Sequence, residues 1–435
     1  MNSKNNNAYV RGEMLPEKAP PALNVGVIGW IRENLFPDAI SSVLTILALF
    51  IIYSLMAPFI PWAFGGVWNA TSLSECREII EHTYGEGVER ACWAVIHERF
   101  WQLMYGFYPS DLYWRPNLAL VMLLVALAPV LFDKAPRKLL WVSALTPFIG
   151  PWLLWGGTIW VPAMALAGFV IGYFVYKLVA QATSTLMGLI AGPLVAVIWF
   201  LFLAGPIAGA LASVLPLAIE SVPSRNFGGF MLSITLGITG IALSFPLSIV
   251  LALGRQSNLI IVKAICVGFI EFIRGVPLIT LLFVAQVMLS YFLPKGTEFD
   301  IILRVMIMIT LFSAAYLAEV IRGGLAALPK GQYEAADALG LNYWQAQQLI
   351  IMPQALKIAI PGIVSSFIGL FKDTTLVSII GLSDPIGWVI LIQSNSEWNG
   401  IVWELYGFVA FVFFIFCFSM SRYSMYLERK LQTGH

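Results

Sequence analysis

Charge is scarce in this chain. Lysine and arginine number 25 and aspartate and glutamate 24, so 11% of the 435 residues are charged, against about 25% in soluble domains. A water-facing surface cannot be built from so few ions, and 59% hydrophobic residues place the chain among integral membrane proteins. The net charge of +1 is spread between apolar runs, leaving no basic patch for nucleic acid, and none is implied as a partner. Histidine is rarer still, with His82, His97 and His435. That argues against histidine-centred catalysis, and the spacing of His82 and His97 matches no metal-ligand pattern, so no metal site is expected. The phosphate-binding pattern G-x4-G-K-[ST] is absent; Leu328-Pro329-Lys330-Gly331 reads as a turn. No nucleophile elbow occurs. The expectation is a non-enzymatic protein with no cofactor on this chain.

Of four cysteines, Cys266 and Cys417 lie in apolar runs and read as packing residues. Cys76 and Cys92 share one polar loop. If that loop is extracytoplasmic a disulfide is allowed; otherwise both are free thiols.

What the chain has is long apolar runs. A span needs about 20 residues, and runs fall at roughly 40–64, 117–132, 139–156, 159–176, 187–214, 230–253, 259–293, 301–326, 353–371 and 405–425. The N-terminal stretch is polar, with no cleavable signal evident, and the first run is long enough to act as an anchor. The run at 259–293 would make a straight helix of about 50 Å, too long for roughly 30 Å of hydrocarbon, and Arg274-Gly275-Val276-Pro277 is its natural break. Lysine and arginine set the orientation. With the N-terminus in the cytoplasm, Lys134, Arg137, Lys138, Lys177, Arg255, Lys263, Lys330, Lys357, Arg422, Arg429 and Lys430 all fall inside. This requires 374–394 not to cross. Gly381, Asp384-Pro385 and Gly387 there suit a re-entrant or broken helix, tolerated only where it is buried in protein or lines a cavity.

The fold class expected is therefore an all-α integral membrane protein of about ten transmembrane helices. Its expected organisation is a cytoplasmic segment 1–37, a five-span extension 38–219 with an extracytoplasmic loop 65–116, a second five-span module 227–428 and a cytoplasmic tail 429–435. The polar break 220–229, ESVPSRNFGG, is the expected boundary.

Between two runs lies a stretch too polar and too short to span, 332–353, QYEAADALGLNYWQAQQLIIMP. It reads as helix, stop, helix. Gly340 can end the first helix in the left-handed conformation. Asn342 with Gln345 three residues on forms a capping-box pair for the second, which Pro353 ends or kinks. Ala335 and Ala336 would let another protein approach closely. Other candidates are charges beside apolar runs. Glu271 with Arg274, and Glu319 with Arg322, are spaced i, i+3, so that each pair can neutralise itself. They would hold a gate, line a path, or sit near cytoplasmic helix ends where arginine snorkels. Lys372, Asp373, Thr374 and Thr375 follow a span and open the non-crossing stretch, offering charges and hydroxyls to a zwitterion or anchoring the interface.

Glu334, Ala335, Ala336, Gly340, Ile350 and Pro353 resemble the EAA motif of ABC-importer permeases, EAA-x3-G-x9-I-x-L-P, with Met352 standing where leucine is usual. In that family the motif is the helix, here 332–352, that docks in a groove of the ATPase. The strings EFIRGVPL from Glu271, AYLAEVIRGG around Tyr316 and Glu319, and KDTTLVS from Lys372 to Ser378 are similar to the polar amino-acid branch of type I permeases. The long extension is similar to the permeases of the general L-amino-acid importer, the second one most of all. The resemblance implies an inner-membrane subunit that translocates L-amino acids, with ATP and magnesium on separate ATPase chains. A second homologous permease, a periplasmic binding protein and the surrounding membrane lipid would complete the assembly. The competing expectation is a secondary transporter or channel using Glu271, Glu319 and Asp373 as ion sites.

Overall fold

The computed structural model describes residues 26–288, Tyr291 and 300–431. The expected cytoplasmic stretches before residue 26 and after residue 431 lie outside the described residues, as does part of the run 259–293.

Two compact units are present. The first comprises residues 26–69 and 75–93. In it α1 (Gly26–Leu35) precedes α2 (Ala39–Phe64), the first span, none of which is buried. Asp38 caps α2, its carboxylate accepting from the Ser41 amide at 2.8 Å. That amide bond is the main reason the Asp38 carboxyl is held below its ordinary pKa. Most of α3 (Leu73–Tyr84) follows. Cys76 on α3 is bonded to Cys92 in a disulfide, with Cα atoms 6.2 Å apart. The Trp93 indole N–H donates to the Ala63 carbonyl at 2.7 Å.

The second unit comprises residues 70–74 and everything from Ala94 onward. It holds α4 (Ala94–Tyr105), α5 (Trp114–Leu131), α6 (Leu140–Trp155), α7 (Trp160–Ala182), α8 (Thr185–Ile198), α9 (Ala204–Val214), α10 (Gly229–Gln256), α11 (Ile260–Gly275), α12 (Leu278–Phe283) and α13 (Ile301–Ala326). Among the described residues, α14 (Lys330–Ala338), α15 (Tyr343–Ala346), α16 (Met352–Asp373), α17 (Pro385–Gln393) and α18 (Trp403–Leu431) complete it. Two-residue strands β1 (Gly157–Thr158) and β2 (Ala218–Ile219) pair antiparallel.

Among the described residues, 8 helical segments are long and apolar enough to cross a membrane, or 9 if the bent pair α11–α12 counts as one. The remaining run of the expected ten is α6, whose 16 residues with Pro147 and Pro151 reach only about 24 Å. The pair bends by 101° at Val276-Pro277. Pro277 has no N–H to continue the ladder, and its ring pushes Val276 out of the helical region; Val276 is extended, at φ −111 and ψ 131. After α16 the chain runs as a short 3-10 segment, Thr374–Ile380, and then α17, whose nine residues cover only about 13 Å.

The centre of this unit is α13. Half of its span is buried, through Ile302, Val305, Ile309, Leu317, Ile321 and Leu325 at helical spacing. It packs on α10 and α16. Gly324 is where α13 meets α16 backbone to backbone: a Cβ there would sit 2.4 Å from the Ala355 carbonyl oxygen. The polar break 220–229 is not where the chain divides. Arg115, 3% exposed, donates to the Glu220 carbonyl at 2.5 Å. The Val222 amide donates to the Trp155 carbonyl at 2.9 Å. The Trp155 indole donates to Ser224 Oγ at 2.6 Å. A strap with its polar groups satisfied in this way is part of the packing, so α5–α9 join α10–α18 in one unit.

Candidate functional site

The sequence-marked residues fall into three groups. The first is the turn carried by α14. Its C-terminus closes with Gly340 at φ +68, the Gly340 amide donating to the Asp337 carbonyl at 2.9 Å and the Leu341 amide to the Ala336 carbonyl at 3.2 Å. These are the two bonds of a Schellman motif, which needs a left-handed residue that glycine supplies without strain. Asn342 then starts the next helix in a complete capping box. Its Oδ1 accepts from the Gln345 amide at 3.0 Å and its own amide donates to Gln345 Oε1 at 3.1 Å.

Two expectations about this turn are corrected. Pro353 does not end the second helix. The chain runs from Tyr343 to Ile380 as one helical segment, passing through a wide π turn at Gln347–Ile351, with Pro353 in the first turn of α16. A proline there removes an amide that a wide turn already leaves without its usual partner. Ala336 is not surface. It is 1% exposed and faces its own protein, while Glu334, Ala335 and Asp337 face outward. Tyr333 and Ile350 pack with Leu325, Leu328, Ile351 and Ala355, and the Gln354 amide donates to Gln332 Oε1 at 2.9 Å, so α14 is seated on the ends of α13 and α16. Beyond it Leu339, Tyr343, Trp344 and Leu349 are 72%, 53%, 67% and 65% exposed. A docked, capped turn thus carries a carboxylate beside uncovered apolar side chains.

The second group lies on the same end of the bundle. The Glu319 carboxylate on α13 accepts from Arg322 Nε at 2.8 Å and from Arg255 at 3.2 Å, with Arg274 at 3.8 Å. The same Arg255 nitrogen donates to Glu271 at 2.9 Å. The pair Glu319–Arg322 neutralises itself along its helix as its spacing requires. Glu271 and Arg274 do not: Glu271 turns to α10 and Arg274 to α13, where it also lies 5.6 Å over the Tyr316 ring. Arg255, which the sequence marked only as one of the basic residues on the cytoplasmic side, is the bridge between both glutamates. Its separation from Glu271 and Glu319 has no helical period, so only the meeting of three helices reveals it. Three arginines against two glutamates leave the knot with a surplus positive charge.

The third group, Lys372 to Ser378, is elsewhere. Thr374 packs against Gly237 and Glu319 pairs with Arg255. The 18 residues between those two positions of α10 amount to about 27 Å, so the structure does not bring the groups together. Thr374 is fully buried, and its hydroxyl donates to the Phe371 carbonyl at 2.7 Å. Thr375 donates to the Lys372 carbonyl at 2.8 Å and Ser378 to the Thr375 carbonyl at 2.9 Å. The backbone here is a regular 3-10 turn, and the hydroxyls expected to face a zwitterion are spent inside it. Nearby, Asp384 caps α17, accepting from the Gly387 amide at 2.9 Å and the Ile386 amide at 3.3 Å. Burial nevertheless raises its carboxyl to about 7.

Residues 244–433 match the family described as the binding-protein-dependent transport system inner membrane component. The chain is 57% identical over 429 residues to the glutamate/glutamine/aspartate/asparagine transport system permease protein BztC of Rhodobacter capsulatus, covering 98% of this chain and 99% of that one. This chain belongs to the ABC importer permeases. It is 40% identical over 409 residues to the inner membrane amino-acid ABC transporter permease protein YhdY of Escherichia coli, covering 93% of each. The probable glutamine ABC transporter permease protein GlnP of Bacillus subtilis is 32% identical over 201 residues, which are 46% of this chain but 90% of that one. Both longer relatives carry the extension; the shorter permease does without it. The permease is a multi-pass inner-membrane transport subunit and not an enzyme, with ATP hydrolysis belonging to a separate subunit.

Proposed function

We propose that this permease translocates L-amino acids, acidic ones and their amides first among them, along a path shared with a second, homologous permease. A periplasmic binding protein delivers the substrate, and α14 lies on the cytoplasmic face in a groove of the ATPase, which carries the ATP and magnesium. The observation that carries the coupling role is the seated α14 turn. Its inward side, Tyr333 and Ala336, is packed, and its outward side presents Glu334, Ala335 and Leu339. A push on the outward side passes into α13 and α16 as a rigid displacement, because close-packed interiors transmit strain. The amino-acid class rests on full-length likeness to permeases named for it.

The reading as an ion-coupled transporter finds less support. Glu271 and Glu319 are held by arginines and have no free carboxylate oxygen pair to offer a cation, and Asp373 lies near the opposite end of the bundle. The deciding experiment is uptake of radiolabelled glutamate, glutamine, aspartate and asparagine into proteoliposomes holding the purified complex. ATP-dependent accumulation of these substrates is expected. Accumulation driven by an ion gradient without ATP would overturn the proposal.

A further inference from the structure

One exposed face of α18 changes character along its length. Phe411, Ile415 and Phe418 are 60%, 47% and 52% exposed. The same face continues, at the i, i+4, i+7 spacing of one helix side, into Arg422, Tyr426 and Arg429. At 29 residues, α18 is about 43 Å long, against roughly 30 Å of hydrocarbon. Its last two to three turns therefore stand in the headgroup layer. Helix α5 ends beside them: the Tyr423 hydroxyl donates to the Leu131 carbonyl at 2.6 Å, and Phe132 stacks edge-on to Tyr423 at 5.9 Å.

Between the two helix ends is an open cleft of about 800 Å³ lined by Phe132, Arg422, Tyr423, Tyr426, Arg429 and Lys430. The two acidic groups near it are engaged. Asp133 pairs with Lys430, and Glu428 accepts from the Ser424 hydroxyl at 3.0 Å. Among the described residues no carboxylate lies within ion-pair distance of Arg422 or Arg429. The adjoining turn adds Lys134, Arg137 and Lys138.

We propose that this cleft binds the phosphate headgroup of an anionic phospholipid, with an acyl chain laid along Phe418, Ile415 and Phe411. Guanidinium groups clamp phosphate oxygens in a fork geometry that matches them, and basic residues at a helix end gain affinity from each anionic lipid charge. A zwitterionic headgroup gains less, since its ammonium finds no free carboxylate. A free phosphate would use the arginines alone and leave the apolar stripe uncovered, so a lipid is the occupant that uses the whole face.

The test is lipid retention by the full complex, purified and then exchanged into nanodiscs of phosphatidylethanolamine alone or with phosphatidylglycerol. Native mass spectrometry is expected to show phosphatidylglycerol held on this chain, and its addition is expected to raise the melting temperature. Arg422→Gln and Arg429→Gln should each weaken retention about fivefold, while Arg225→Gln, an exposed arginine in the 220–229 strap, should not. A second arm leaves the arginines in place: p-benzoylphenylalanine at position 132 should photo-cross-link phosphatidylglycerol in preference to phosphatidylethanolamine. Equal cross-linking of both lipids, retention unchanged in the arginine variants, or equal stabilisation by inorganic phosphate would each overturn the proposal.

Discussion

At the α14 turn the side chains of Glu334, Ala335, Leu339 and Trp344 point away from the protein; at 372–378 the hydroxyls are turned back onto their own helix. Both stretches sit at the end of a span, both are rich in groups able to bind something, and both are framed by regular helix. The difference lies in what remains unsatisfied. The α14 turn settles its backbone needs locally, through the Schellman bonds of Gly340 and the capping box of Asn342, so its side chains are free for a partner. In the second stretch Thr374, Thr375 and Ser378 complete the 3-10 turn themselves, and Thr374 also fills space against Gly237. A polar residue is available for recognition only after the backbone around it no longer needs it.

The sharpest way to break this comparison is to alter the outward side of α14. Glu334→Lys and Ala335→Leu should each lower ATP-driven uptake more than about tenfold, by like-charge or steric conflict at the docking surface, with insertion and melting unchanged. Ala336→Leu should behave differently: its site is packed, so melting should fall, at a cost of about 1–3 kcal/mol. Equal melting for the two leucine variants would show that α14 is not seated as described.

Next in size is Glu319→Gln. It removes the charge on which three arginines converge, and the loss of a largely enclosed partner leaves cations uncompensated. We expect a loss of about 3 kcal/mol, read by thermal unfolding in detergent, and a smaller loss, about 1 kcal/mol, for the more exposed Glu271→Gln. The reverse order would mean that Arg255 is held by Glu271 and not by Glu319.

Asp384 gives a pH-dependent contrast. Its folded pKa, about 7 against an ordinary 3.8, is raised, so its contribution is present in full below about pH 4 and is lost as pH rises through 7. Asparagine keeps the cap without the charge. Asp384→Asn should therefore be near neutral at about pH 4 and progressively more stable than the parent as pH rises, by on the order of 4 kcal/mol at pH 8. A stability difference that does not change with pH would refute the assignment.

The smallest effects belong to the hydroxyls. Thr374→Ala should cost about 1 kcal/mol of stability through lost packing and leave the substrate preference of assembled complexes unchanged. Thr375→Ala should alter uptake less than about twofold. A changed preference in either variant would return this stretch to the translocation path.

The helices of this chain were legible because their causes are local. Apolar length marks a span, Pro277 marks a break, and Asn342 with Gln345 marks a helix start. The α14 turn was legible for the same reason, since Gly340, the cap and the seating residues all lie within about twenty positions. What local pattern could not decide was direction. Ala335 and Ala336 look alike in the sequence, and only the seating of α14 on α13 and α16 turns one outward and the other in. Pro353 misled because the breaking rule supposes a 3.6-residue helix, and the π turn before it removes the conflict.

Composition and periodicity alone determined that this protein is a helical membrane protein carrying a capped polar turn, because hydrophobic length and cap chemistry act within one or two turns of the chain. The tertiary structure alone decided that Arg255 joins Glu271 to Glu319, that the strap at 220–229 is packed within one unit, and that Thr374 is core. Each depends on which distant helix comes alongside. An ion pair between residues 64 positions apart has no period by which a sequence could announce it.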